Sequence, residues 1–138
     1  MRITTGATAA ALSGLAGLHI AWGLGSPFPS ANRTELADTV AGTKVVPSAP
    51  QCFAVAGALV GAAALVTDAL PLARRQRTIG ASGAALVLGM RGVLGVAGQT
   101  SRIVPWTPSD RFTKLDRRYY GPLCLALSAG VWSSLRSD

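Results

Sequence analysis

Apolar and polar positions along this chain fall into long blocks rather than a short alternation. Four apolar runs, at about 3–24, 51–72, 78–98 and 119–135, are separated by one short basic turn and two long proline-rich polar stretches. The third run, TIGASGAALVLGMRGVLGVAG, has 21 residues, with Arg91 its one charge. At ~1.5 Å per residue, a helix of that length crosses a hydrocarbon core of ~30 Å. The fourth run, at 17 residues, lies at the short limit for a span. The pattern predicts an all-α fold: a four-transmembrane-helix antiparallel bundle, one domain over 1–138, with two long loops on one side.

Within the first run, Gly6, Ala10 and Gly14 recur every fourth residue and leave one face smooth enough for close helix contact. His19 and Trp22 share a face at i, i+3 spacing. The run is longer than a signal-peptide core and no small-x-small cleavage site follows it, so it reads as an uncleaved first span. Gly57 and Gly61 form a GxxxG in the second run. Asp68 near its end is the expected partner of Arg74, Arg75 or Arg77 in the ARRQR turn, and so short a turn makes runs two and three antiparallel neighbours.

The first loop, 26–50, carries Pro27, Pro29, Pro47 and Pro50. Residues 32–40 predict a short amphipathic helix capped by Ser30 or Asn32. In the second loop, 99–118, Pro105 and Pro108 bracket Trp106. Phe112, Leu115 and Tyr119 form an apolar stripe on a short interfacial helix behind a Ser109 cap. Pro122 falls in the first turn of the fourth span, and Tyr119, Tyr120 and Trp132 stand where interfacial belts stand.

Composition agrees with this reading. Hydrophobic residues make up 49% and charged ones 14%, against about 25% charged in a soluble domain. The net charge of +7 points to lipid headgroups, not to nucleic acid: the arginines flank apolar runs and are not interleaved with aromatics on one face. Cys52 and Cys124 form no CxxC, and there is one histidine, so no metal or haem site and no cofactor is expected.

The two sides carry opposing orientation signals. The terminal side has Arg2, Arg74, Arg75, Arg77 and Arg136, and the loop side Arg33, Lys44, Arg102, Arg111, Lys114, Arg117 and Arg118. The first helix usually dominates, and the only basic residue close to it is Arg2, so the termini are expected in the cytoplasm.

An arginine inside a span is costly, ~2.5–3.5 kcal/mol on insertion scales, and normally faces a bundle interior, a cavity or a partner. By helical rise, His19 lies ~7 Å and Arg91 ~10 Å from the loop-side helix ends. Trp22, Gln51, Cys52, Trp106, Tyr119, Tyr120 and Cys124 map to the same half. This asymmetry predicts a loop-side pocket. In it Arg91 would bind a carboxylate, phosphate or enolate-like oxygen, and His19 would donate a hydrogen bond or act as general base. Trp22, Gln51, Trp106, Tyr119 and Tyr120 would line it. Each member also has a plainer reading: a snorkelling arginine, a core histidine, belt aromatics, and cysteines that pack as small hydrophobes instead of pairing.

The segments LHIAWGLG, VPSAPQ, RGVLG and FTKLDRRYYGPLCLAL resemble the domain-of-unknown-function family 3995, small bacterial membrane proteins with four predicted spans. The resemblance implies the same architecture in a bacterial plasma membrane. It singles out His19, Trp22, Arg91, Asp116, Tyr120 and Pro122, which adds Asp116 to the ligand-binding candidates. The family's helix-one motif often reads His-x-Tyr-Trp; Ala21 stands here in place of the aromatic. No activity comes with the resemblance. Three functions compete: a pocket protein binding or acting on a hydrophobic small molecule or lipid, an accessory subunit of a larger membrane complex, and a small dimeric transporter. The transporter needs an intramembrane acid, for which Asp68 is the only candidate, and it lies at the wrong depth.

Overall fold

The computed structural model describes residues 2–136, so Met1, Ser137, Asp138 and the side chain of Arg2, which enters the orientation argument, lie outside the described residues. It is all-helical: α1 (Arg2–Gly23), α2 (Arg33–Ala41), α3 (Ala49–Val66), α4 (Arg74–Val96), a 3₁₀ turn (Thr100–Arg102), α5 (Asp110–Leu115), a π turn (Asp116–Tyr120) and α6 (Gly121–Leu135). No strand occurs among the described residues. Three helices, α1, α3 and α4, are long and apolar enough to cross a membrane. The fourth long helix, α6, has 15 residues.

The helices pack as two tight pairs, α1 on α3 and α4 on α6, joined where α1 meets α6 and α3 meets α4. Their shared core is Leu12, Ala62, Ala63, Val66, Ala81, Ala85, Leu127 and Val131. Four of these eight are alanines, so the helices touch through small side chains. The bulky residues point outward instead: Ile79, Leu86, Val87, Met90 and Val93 on α4 and Phe53, Val55 and Val60 on α3 are all exposed. In water that arrangement forfeits ~1.5–3 kcal/mol for each such side chain left unburied. Against lipid tails it costs nothing, and packing of small residues is what holds such helices together.

Two boundaries differ from the sequence expectation. The second apolar helix ends at Val66 and not near residue 72, because Thr67 caps it and Asp68 takes a left-handed φ of 56°. The third begins at Arg74, so ARRQR is not a turn but the start of α4, with the Gln76 side chain accepting from the Ala73 N–H at 3.1 Å. The connection is therefore 67–73, which contains Pro71. Asp68 meets Arg77 at 3.5 Å, as the charge pattern suggested, and Arg77 Nε also donates to Leu65 O at 2.9 Å.

The third difference matters most for the site. α5, the π turn and α6 run as one helix, with the Gly121 N–H bonded to Asp116 O five residues back. Pro122 explains the widening. It has no N–H for the carbonyl of Arg118, and its ring would crowd that carbonyl in a regular α-turn. The extra residue shifts the stripe by one: Tyr120, not Tyr119, lies beside Phe112, with ring centres 6.0 Å apart. Tyr119 is exposed, with the Arg118 guanidinium 5.5 Å from its ring centre.

Candidate functional site

The site grows from the crossing of α4 and α6. Gly92 and Gly95 on α4 face Gly121 on α6, and a β-carbon on Gly121 would stand 2.7 Å from the Val96 backbone nitrogen. This approach brings Arg91 of α4 to Asp116 of the π turn. Arg91 Nη2 donates to Asp116 Oδ1 at 2.8 Å and Nη1 to Oδ2 at 3.2 Å. The Thr100 hydroxyl, from the 3₁₀ turn, donates to Oδ2. Gly95 makes room: a β-carbon there would lie 2.8 Å from both Arg91 Nη1 and Asp116 Oδ1.

Asp116 is 1% exposed. Removing a carboxylate and a guanidinium from water costs several kcal/mol per ion, offset only by forked geometry with further donors. Both conditions are met here. The charge of Arg91, whose side chain is 27% exposed, is thus answered within the chain.

The other sequence candidates are spread across the loop-side half. His19 Nδ1 contacts Leu15 O at 2.8 Å; since a carbonyl only accepts, Nδ1 carries the hydrogen. Its ring lies 4.7 Å from that of Trp22. α1 forms its main contacts with α3 and α6, not with α4, so His19 and Arg91 belong to different helix pairs. Gln51 is exposed and closes a capping box on α3, its side-chain oxygen accepting from Ser48 N at 2.9 Å. SAPQ is the capping-box pattern, so this role is legible in sequence. Cys52 and Cys124 are free thiols. Asp68, 63% exposed in its side chain, sits in the connection to α4 and supplies no buried acid; Asp116 does.

Trp22 ties the end of α1 to the first loop, and Trp106 and Tyr120 tie the second loop to α2. Trp22 Nε1 donates to Phe28 O at 2.6 Å, Trp106 Nε1 to Ala41 O at 2.9 Å, and Tyr120 OH to Thr39 O at 3.1 Å. The Ser109 N–H donates to Gly42 O at 3.0 Å. The last carbonyls of a helix lack intrahelical partners. Here the second loop supplies partners for those of α2, while Phe112 packs against Gly42 and Arg111 pairs with Glu35 at 3.6 Å. The two long loops therefore form one cap. Tyr120→Phe, which keeps the ring and deletes the hydroxyl, is expected to lower stability by about 0.5–1.5 kcal/mol. It should also speed hydrogen exchange in α2 while leaving α3 and α4 unchanged, as mass-spectrometric exchange would read.

Beside Asp116 the cap leaves a cleft of about 130 Å³ lined by Gly98, Thr100, Ser101, Thr107, Pro108 and Thr113. None of these residues stands out in the sequence as a site member. Threonines and serines in a loop carry no local mark, and only the fold gathers them. Among the described residues no three His, Cys, Asp or Glu side chains gather to hold a metal.

A family profile described as a protein of unknown function, DUF3995, matches residues 12–131. The chain belongs to the DUF3995 family. The match takes in Arg91, Gly95, Thr100, Asp116 and Gly121, so the whole ion-pair crossing lies inside the DUF3995 region. No curated protein and no solved structure matches the chain.

Proposed function

We propose that this DUF3995 chain is a multi-pass protein of a bacterial plasma membrane, with four spans in an antiparallel bundle and cytoplasmic termini. Its loop-side half binds the polar end of a hydrophobic small molecule or lipid. Tyr119 and Tyr120 extend the 15 residues of α6 to the 17 of the fourth apolar run, ~26 Å at ~1.5 Å per residue and at the short limit for a span. The arginines opening α4 oppose the helix dipole in isolation, and anionic headgroups would relieve them.

The binding reading is carried by the cleft over Thr100. Four of its six lining residues, Thr100, Ser101, Thr107 and Thr113, carry hydroxyls, and Thr100 links it to the Arg91–Asp116 pair. Its ≈ 130 Å³ is well below the ~300 Å³ at which pockets begin to enclose drug-sized ligands, so it suits a head and not a whole amphiphile. Thr100 links the cleft to the Arg91–Asp116 pair, and Trp22, Trp106 and Tyr120 hold the cap. Native mass spectrometry of the detergent-extracted protein tests this. Wild type should retain an adduct of amphiphile mass, and Thr107→Phe, which fills the cleft at an exposed position, should lose it.

A second reading, an accessory subunit, is favoured by a specific observation. Gly6, Gly14 and Gly17 on α1 and Gly57 on α3 are exposed, with open space where a β-carbon would go. Such smooth surfaces suit another membrane protein or a second copy. A clean mass with a retained protein partner would favour this reading over ligand binding.

A further inference from the structure

We propose that the cleft over Thr100 is an anion site that takes a phosphate group; this rests on reading the cleft as a binding site. The first argument is the donor inventory. The Thr100 hydroxyl gives its hydrogen to Asp116, and that of Thr113 gives its hydrogen to Ser109 O at 3.0 Å. Both can only accept from a ligand. Ser101 and Thr107, both exposed, bring the hydroxyl hydrogens not engaged in this way.

The second argument is charge. Residues 98–118 contain Arg102, Arg111, Lys114, Arg117 and Arg118 against Asp110 and Asp116. Asp116 is matched by Arg91, and Arg111 is paired with Glu35. Among the exposed side chains of this segment, Arg102, Lys114, Arg117 and Arg118 outnumber Asp110. Arg117 packs beside a lining residue. Its Cδ lies 3.2 Å from where a β-carbon of Gly98 would stand, and Gly98, at φ +69°, lines the cleft. Glycine at that position both accepts the left-handed backbone and lets the Arg117 stem lie against the wall.

The third argument is size. The ≈ 130 Å³ holds about four waters at ~30 Å³ each, room for one phosphate group but not for a disaccharide. Hydroxyl and guanidinium donors are the partners such an oxyanion takes. At the loop side of a membrane helix bundle, the phosphate comes from a lipid headgroup or from solution.

The test uses the full chain in detergent, by native mass spectrometry. The probes are phosphatidylglycerol, a phosphate-free diglucosyl diacylglycerol, and inorganic phosphate. The proteins are wild type, Ser101→Ala/Thr107→Val and Arg117→Gln, with helical content checked by circular dichroism. Wild type is expected to retain phosphatidylglycerol about tenfold better than the glycolipid, and each variant to lose most of that preference. Displacement of the lipid by inorganic phosphate assigns free phosphate as an occupant, and resistance to displacement assigns the headgroup; either supports the site. Equal retention of phosphatidylglycerol by wild type and both variants overturns the proposal. A preference for the glycolipid that Thr107→Phe abolishes overturns the phosphate assignment and leaves the binding reading standing. No retention of any probe removes both.

Discussion

Asp116→Ala is expected to destabilise the protein by about 3 kcal/mol or more, the effect of leaving one partner of a buried ion pair alone. The expectation comes from geometry. Asp116 is almost wholly buried, and its carboxylate takes both arms of Arg91 and the hydroxyl of Thr100. Deleting it strands a guanidinium at the crossing of two apolar helices. Arg91→Met is expected to be similarly harmful, because it strands the carboxylate. The double variant Arg91→Met/Asp116→Leu removes both charges and should recover most of the loss, since buried pairs exchanged for apolar groups of similar size are often neutral or better. Unfolding in mixed micelles, run as a double-mutant cycle, measures this directly. Additive losses, with no recovery in the double variant, would rule out the pair as a structural lock. They would return Arg91 to the role of a ligand-binding cation.

Gly121→Ala carries the second large effect. A methyl group there would stand 2.7 Å from Val96 N and 3.0 Å from both Gly95 C and Asp116 O. These are backbone atoms on both helices, and none can rotate aside. The helices must part, which also pulls Arg91 from Asp116. The expected loss therefore exceeds the ~1–3 kcal/mol of ordinary overpacking. Gly92→Ala should behave similarly, since its β-carbon would stand 2.8 Å from Leu125 N. Gly57→Ala is the control. Nothing lies within 4 Å of its β-carbon position, so the change should be neutral or favour the helix by up to ~1 kcal/mol. Thermal unfolding of the three variants in one detergent ranks them, and a Gly57→Ala loss equal to that of Gly121→Ala would show that helix propensity, not contact, governs these sites.

This contrast shows what a glycine pattern conveys. GxxxG at Gly57 and Gly61 is the conspicuous motif, yet both residues have open space around them. The close backbone approach pairs Gly92 and Gly95 with Gly121, which stands between Tyr120 and Pro122 and belongs to no small-residue repeat. A spacing shows that a face is smooth. It does not show what lies opposite.

The features determined by sequence alone are those set within one or two helical turns. The apolar runs make the long helices, because length and hydropathy are local quantities. Asn32, Ser48 and Ser109 cap α2, α3 and α5 through backbone groups three residues ahead, and Asp68 meets Arg77 across a short connection. Arg91 stands out in the sequence, because its cost in an apolar run is also local. What answers that cost was decided by tertiary structure. Asp116 lies 25 positions away, Trp106 reaches a carbonyl 65 positions back, and Tyr120 one 81 positions back. The π turn that aims Asp116 and Tyr120 depends on Pro122, and the close crossing beside it on glycines in two helices. Such pairings follow from which helix faces meet, and periodicity along a single helix does not encode its neighbour.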